Sequence, residues 1–224
     1  MTQSLTPIAR IETDFPEKFG IPRQSGLIEE LKGRIVMEPA FAREEAFRGL
    51  EEFSHIWLIW GFSQAKSWSY TVRPPRLGGN ERKGVFATRS PFRPNGLGLS
   101  AVRLDRIDLS EMALYVSGAD LMDQTPIYDI KPYLPFADSY PEAKDGFAGR
   151  KKERGLQVEM DESWSRLLPK EKRAALIKVL EQDPRPSYQN DPEREYAFSF
   201  GGYTVRFTVA DGIARVRQIE ALMK

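Results

Sequence analysis

Short runs of β-branched and aromatic residues, separated by glycine and proline, dominate residues 1–141. Such runs are typical of strands. They predict strands at residues 8–11, 34–37, 53–62, 85–88, 99–107 and 112–118. The run at 53–62 is apolar on both faces, which favours a position inside a sheet or a barrel wall. Residues 41–52 predict one short helix, with Phe47 and Leu50 on its inner face.

The composition changes after residue 141. Residues 142–155 are polar and include a charged run at 150–154, as linkers do. Apolar residues at helical spacing then predict a helix that the Asp-Pro-Arg-Pro sequence at 183–186 ends. Three alternating runs up to Ile219, separated by Gly-Gly and Asp-Gly pairs, predict a three-stranded meander. We therefore predict a mainly β (α+β) protein: an antiparallel β-barrel domain at 1–141, a linker at 142–155 and a small α+β unit at 156–224.

The composition narrows the function classes. Hydrophobic residues make up 41% and charged residues 29%, as in ordinary soluble proteins, and the longest apolar run, 56–62, is too short to span a bilayer. We expect a cytoplasmic protein with no membrane partner, because the first ten residues lack the pattern of a secretion signal. The chain has no cysteine and a single histidine, His55, so we expect no metal site. Inside an apolar run, His55 is expected to be a buried core residue rather than a base.

Charge is distributed unevenly along the chain. The net charge of the chain is +1. Residues 73–93, however, contain one acid, Glu81, and six cationic residues: Arg73, Arg76, Arg82, Lys83, Arg89 and Arg93. A field of this kind suits an anionic partner such as RNA phosphate. The alternative is a solvated loop whose charges pair with acids elsewhere.

The same segment contains the sequence GVFATRSPFRPNGLGLS at residues 84–100. Two prolines restrict the backbone, while Gly96 and Gly98 admit positive φ or the close approach of another molecule. We expect a stiff loop that presents Arg89, Ser90, Arg93 and Asn95. The alternative is a barrel corner whose arginines satisfy buried carbonyl groups.

A second group of polar residues lies at 120–133, in the sequence DLMDQTPIYDIKPY. Asp123 precedes a turn, and an extended segment after it would place Asp129, Lys131 and Tyr133 on one side. The alternative is that Asp129 and Lys131 simply form an ion pair. The chain carries no phosphate-binding P-loop, no dinucleotide fingerprint and no nucleophile elbow.

These two segments, 84–95 and 125–133, resemble the TsaA-like (YaeB-like) family, whose characterised bacterial members are TrmO tRNA methyltransferases. The resemblance spans residues 8–139, including 22–24, 49–55 and 71–80, and residues 183–188 resemble the family's C-terminal unit. It implies a small β-barrel, a homodimer, S-adenosylmethionine as the methyl donor, and N6-methylation of N6-threonylcarbamoyladenosine beside the anticodon of tRNA. Two positions depart from the family pattern: Gly96 replaces a proline, and Gln124 replaces a glycine.

The resemblance also implies roles for individual residues. The proposed donor-binding residues are Arg23, Gln24, Ser63, Gln64, Arg89, Ser90, Ser100, Leu121, Met122, Asp123 and Gln124. The proposed tRNA-binding residues are Arg73, Arg76, Arg93, Asn95 and Lys131. The candidate proton acceptors, in order, are Asp129, Asp123 and Tyr133. The alternative function is a non-catalytic module that binds RNA or senses an adenosyl ligand.

Overall fold

The computed structural model describes residues 4–74, 77, 81–149, 155–185 and 191–222. Six strands form a closed barrel in the order β1-β2-β7-β6-β3-β8, with every neighbouring pair antiparallel. Their bounds are β1 Ala9–Thr13, β2 Lys32–Met37, β3 His55–Gly61, β6 Leu97–Asp108, β7 Ala113–Ser117 and β8 Thr125–Pro132. A two-stranded ribbon of β4 Thr71–Val72 and β5 Lys83–Gly84 projects between β3 and β6. The predicted antiparallel barrel is confirmed.

Side-chain alternation along β3 divides the barrel interior from its outer face. Ile56 and Leu58 are fully buried inside, together with core residues of the other strands. Trp57 and Ile59 point outward and are half-buried. The predicted position of this run in the barrel wall is correct, and its outer face supplies an apolar surface that is not covered by another strand.

Two predicted elements of the first domain are wrong. Residues 41–52 form no continuous helix but two 3₁₀ turns, Glu44–Phe47 and Leu50–Glu52, because Gly49 between them has a left-handed backbone with φ of 85°. The predicted strand at 85–88 is a 3₁₀ turn, Val85–Ala87, and pairing ends one residue earlier in β5. Hydrogen bonds from the side chains of later residues to backbone carbonyls hold that turn, as described below.

The C-terminal unit contains a four-stranded sheet in the order β10-β11-β12-β9. Its elements are β9 Gln157–Glu159, α2 Glu162–Ser165, α3 Lys170–Glu181, β10 Tyr196–Phe200, β11 Tyr203–Ala210 and β12 Ile213–Ala221; the short α1, Pro135–Asp138, follows the barrel. The predicted helix and meander are confirmed. The sequence did not indicate β9, which joins β12 in parallel. No helix among the described residues is long and apolar enough to cross a bilayer.

The long connection between β1 and β2 joins the two units. Phe15, Ile28 and Leu31 of this connection belong to the core of the C-terminal unit, not to the barrel core. The ring of Phe15 packs edge-on against Phe200 at 5.3 Å. The Lys172 ammonium group adds an ion pair with Asp14 at 2.7 Å. The domain bounds remain a prediction. Residues 14–31 nevertheless pack against the C-terminal unit, and some of them line the cavity described below.

Candidate active site

A cavity of about 720 Å³ lies on the outer face of the barrel, at the end where β3 finishes and β6 begins. This volume is within the usual range for small-molecule sites. Its polar lining comes from four separate segments: Lys18, Arg23, Gln24, Ser25, Ser63, Gln64, Thr88, Arg89, Arg93, Asp120 and Thr125. Its apolar wall includes Trp57, Ile59, Trp60, Phe62, Leu97, Leu99 and Met122. The uncovered outer face of β3 and β6 is therefore one wall of the cavity.

The loop before β6 is held by its own side chains. The guanidinium of Arg93 donates to the carbonyl oxygens of Thr88 at 2.7 Å and Val85 at 3.3 Å. The hydroxyl of Thr88 also donates to the Val85 oxygen, at 2.8 Å, and accepts from the Ser90 amide at 3.2 Å. Arg93 thus satisfies backbone carbonyls, which is the structural alternative that the sequence left open. Arg89 instead donates to the side-chain oxygen of Gln24 across the cavity.

A buried carboxylate lies in the cavity lining. Asp120 accepts a hydrogen bond from the Ser100 hydroxyl at 2.6 Å and another from the backbone amide of Ser25. Ser100 in turn accepts from the indole nitrogen of Trp60 at 3.0 Å. Burial raises the pKa of Asp120 above its ordinary value, although the bond from Ser100 and the charge of Arg89 lower it. The cavity therefore presents groups of both charges.

The turn before β8 sends consecutive side chains in different directions. Leu121 is buried in the barrel core, whereas Met122 lines the cavity and its sulfur accepts from Gln64 at 3.2 Å. Asp123 accepts from the Thr13 amide at 3.0 Å, which fastens the turn to β1. Gln124 has a left-handed backbone with φ of 61°, a conformation that glycine adopts more easily.

Comparison with known proteins assigns this chain to a family. The family model described as tRNA-methyltransferase O N-terminal domain matches residues 10–139, and the TrmO C-terminal domain matches residues 153–222. The chain belongs to the TrmO family. The resemblance inferred from the sequence is therefore confirmed, and so is the expected class of enzyme, a tRNA methyltransferase.

Relatives and solved structures cover nearly the whole TrmO chain. The tRNA (adenine(37)-N6)-methyltransferase of Escherichia coli K12 is 41% identical over 95% of this chain and 96% of its own. A Pseudomonas aeruginosa protein named putative S-adenosylmethionine-dependent methyltransferase RcsF is 45% identical over 88% of each. A crystal structure of TrmO from P. aeruginosa superposes with a TM-score of 0.80, at 36% identity, over 99% of this chain and 98% of that one.

The structure brings only part of the donor set predicted for this chain into the cavity. Six of the eleven predicted residues line it: Arg23, Gln24, Ser63, Gln64, Arg89 and Met122. The other five are Ser90, Ser100, Leu121, Asp123 and Gln124, which lie behind the lining or in the turns that support it. Sequence reasoning did not single out Asp120 or the apolar wall. Asp120 is the first residue of the polar group at 120–133, but the sequence pattern did not show which acid of that group faces the cavity.

None of the three predicted proton acceptors lines this cavity. Asp129 and Lys131 form the ion pair that was the structural alternative, at 3.0 Å. They are paired with Ile59 and Trp57 across β3 and β8, so their side chains emerge on the same outer face of the barrel. Tyr133 packs on Trp57, with ring centroids 5.3 Å apart.

The prediction that His55 is a core residue is wrong. His55 begins β3 and is exposed, because it shares the outward register of Trp57 and Ile59. Its ring nitrogen Nδ1 is hydrogen-bonded to the Ser54 hydroxyl at 2.9 Å.

The residues predicted to bind tRNA do not form one cluster. Arg73 follows β4 and Asn95 precedes β6, and both are exposed, while Lys131 lies on the barrel and pairs with Asp129. Arg76 lies outside the described residues. Gly96 and Gly98 were expected to provide positive φ or room for another molecule; neither has positive φ, and Gly98 makes room for the ring of Trp60 instead.

Proposed function

We propose that this TrmO protein transfers a methyl group from S-adenosylmethionine to N6 of N6-threonylcarbamoyladenosine beside the anticodon of tRNA. The observation that carries the proposal is the cavity on the outer barrel face, where the family-matched segments meet. The relatives' names support the same donor and the same class of RNA.

The residues in the cavity fit the proposed donor. S-adenosylmethionine needs an apolar surface for adenine, a negative group near its cationic end, and positive charge near its carboxylate. Phe62 and the β6 leucines supply the apolar surface, Asp120 supplies the negative charge, and Arg89 with Arg23 supplies the positive charge. Gln24, Ser63 and Gln64 add hydrogen-bonding groups.

When bound, the donor supplies an electrophilic methyl group. The protein's part is to hold that group and the acceptor nitrogen at reacting distance and to exclude water, since orientation accounts for much of the rate of such displacements. The acceptor nitrogen must also lose a proton. Our ranking of Asp129, Asp123 and Tyr133 as acceptors stays a prediction. Single-turnover rates of Asp129→Asn and Asp123→Asn, compared with Asp120→Asn, test that ranking, because only the acceptor variant loses the rate without losing donor affinity.

We also propose a cytoplasmic homodimer. Leu97 and Leu99, which line the cavity, are also exposed to solvent on the outer face of β6. A second subunit that covers this face would bury apolar surface, which stabilises association. Sedimentation of the wild type and of Leu99→Lys tests the dimer: the variant should be monomeric. The cytoplasm is proposed because the substrate is tRNA.

The decisive experiment uses methyl-labelled S-adenosylmethionine and tRNA from cells that lack this methylation. We expect label in N6-methyl-N6-threonylcarbamoyladenosine, and none in tRNA that lacks the threonylcarbamoyl group. Label in tRNA without that group would refute the proposed acceptor. Binding of donor and tRNA with no transfer would favour the non-catalytic alternative.

A further inference from the structure

Four large aromatic side chains beside the cavity are exposed to solvent. Trp68 is 47% exposed, Tyr70 78%, Phe86 78% and Phe92 45%. We call these four residues the aromatic face. Aromatic side chains of this size are normally buried, and a contiguous exposed group marks an interaction surface.

Backbone hydrogen bonds hold the two segments that carry these four side chains next to each other. The Ser69 amide donates to the Phe92 oxygen at 3.2 Å, and the Val85 amide donates to the Tyr70 oxygen at 2.9 Å. These bonds join the segment that carries Trp68 and Tyr70 to the segment that carries Phe86 and Phe92. The rings of Trp68 and Tyr70 lie 4.5 Å apart, edge to face. The ribbon of β4 and β5 fixes the far side of the segment.

The segments that carry the aromatic face are positively charged. Lys66, Arg73 and Arg82 are exposed on the segments that carry it. The acid in this region, Glu81, forms an ion pair with Lys83. Rings interleaved with cations are the arrangement by which proteins bind single-stranded nucleic acid, since bases stack on the rings and the cations contact phosphates.

The aromatic face continues directly into the cavity. Thr88, Arg89, Pro91 and Arg93 line the cavity; in the same loop, Phe86 lies two residues before Thr88, and Phe92 lies between Pro91 and Arg93. A base that enters the cavity must leave its stack, and its neighbours then lose a stacking partner. A protein that offers rings to those neighbours lowers the free-energy cost of extruding the base.

We propose that the aromatic face stacks the unpaired nucleotides that flank the acceptor adenosine of the RNA substrate. This assignment rests on the proposed function, because it takes tRNA as the substrate of the adjoining cavity. Trp68 and Tyr70 are the principal stacking residues, and Arg73 is the accompanying phosphate contact.

The test measures binding of a synthetic anticodon stem-loop by fluorescence anisotropy over a range of salt concentrations. Trp68→Ala and Tyr70→Ala should each weaken binding about tenfold, in the range expected for one stacked base. Their salt slope should equal that of the wild type, because no ionic contact is removed. Arg73→Ala should instead reduce the slope by about one phosphate contact. Binding of a fully paired RNA duplex should be the same for the wild type and the two aromatic variants.

Phe136→Ala is the matched control. Phe136 is 88% exposed and follows β8, near the Pro132–Ile56 pair at the start of β3, whereas the aromatic face follows the end of that strand. This variant should bind the stem-loop like the wild type. Calorimetry with S-adenosylhomocysteine should give equal affinities for all the variants and the wild type, which shows an intact cavity.

Three results would overturn the inference. The first is that the wild type does not measurably bind the stem-loop. The second is that Trp68→Ala and Tyr70→Ala bind it with unchanged affinity. The third is that these variants change only the sedimentation coefficient, which would assign the aromatic face to contact with a second copy of the chain. If the wild type transfers the methyl group and the two aromatic variants bind the stem-loop as tightly as the wild type, only this inference is refuted. Stem-loop binding that depends on the aromatic face, without methyl transfer, would support it and refute the proposed function.

Discussion

Gly98→Ala tests how the apolar wall of the cavity is built. A Cβ atom on Gly98 would lie 2.3 Å from Cε2 and 2.4 Å from Cζ2 of Trp60, far closer than carbon atoms approach in folded proteins. The indole cannot simply move aside, because it is buried, packs against Phe62 at 4.4 Å and donates to Ser100 at 3.0 Å. The alanine must therefore displace Trp60 or bend β6.

The expected cost follows from these contacts. Overpacking a filled site costs about 1–3 kcal/mol, and a lost hydrogen bond from a buried donor costs about 1–3 kcal/mol. Replacement of a strand glycine by alanine recovers about 0.5–1 kcal/mol. We expect a net loss of about 2–4 kcal/mol in the free energy of unfolding, or a fall in Tm of about 4–16 °C for a chain of this size. Because Trp60 and Gly98 both line the cavity, donor affinity should fall about tenfold.

Gly96→Ala is the control, since its nearest neighbour would be the Cβ of Phe62 at 3.8 Å and its φ is not positive. Thermal unfolding followed by circular dichroism measures stability, and calorimetry with S-adenosylhomocysteine measures the cavity. If Gly98→Ala and Gly96→Ala unfold at the same temperature, the close packing of Trp60 on β6 is wrong. Trp60→Phe combined with Gly98→Ala should recover part of the loss, because the smaller ring relieves the contact.

Three further predictions concern single side chains of the site. The raised folded-state pKa of Asp120 means that the free energy of unfolding falls as pH rises from about 3.8 through that pKa, so urea unfolding of Asp120→Asn should show a flatter pH profile over this interval. Arg93→Ala should lower stability by about 1–3 kcal/mol because it leaves the Thr88 carbonyl oxygen without its donor, while the Val85 oxygen keeps its bond from the Thr88 hydroxyl. The salt slope of tRNA binding should stay unchanged; a reduced slope would indicate a phosphate contact. Gln124→Gly should raise stability by up to about 1 kcal/mol in urea unfolding by relieving the left-handed backbone, whereas Gln124→Ala should not.

The strands were predictable because alternation of apolar and polar residues is local information. The turn Val85–Ala87 was not, since its β-branched and aromatic residues favour a strand by propensity. The carbonyl of Val85 accepts from Thr88 and from Arg93, and these bonds stabilise a turn instead. The helix predicted at 41–52 failed for a related reason, because Gly49 adopts a conformation that interrupts it.

The site was predictable as a set of segments but not as a set of side chains. Family motifs located the stretches that meet at the cavity. They could not show that Leu121, Met122 and Asp123, three consecutive residues, point into the barrel core, into the cavity and onto β1 respectively. That division depends on the register of β8 against β1 and on the turn before it, which are set by contacts distant in sequence.

Three of the four segments of the cavity have an anchor that is separate from the groups they offer to a ligand. The C-terminal core holds the connection that carries Gln24, Arg93 holds the loop that carries Arg89, and Asp123 holds the turn that carries Met122. Because the anchors are already bonded within the protein, little backbone has to be ordered when a ligand binds, which favours affinity and fixes orientation. Variants of the anchors should therefore change stability and donor affinity together, whereas variants of the ligand-facing groups should change donor affinity alone. Thermal unfolding therefore distinguishes anchor residues from ligand-facing residues, even where both kinds lie in one family motif.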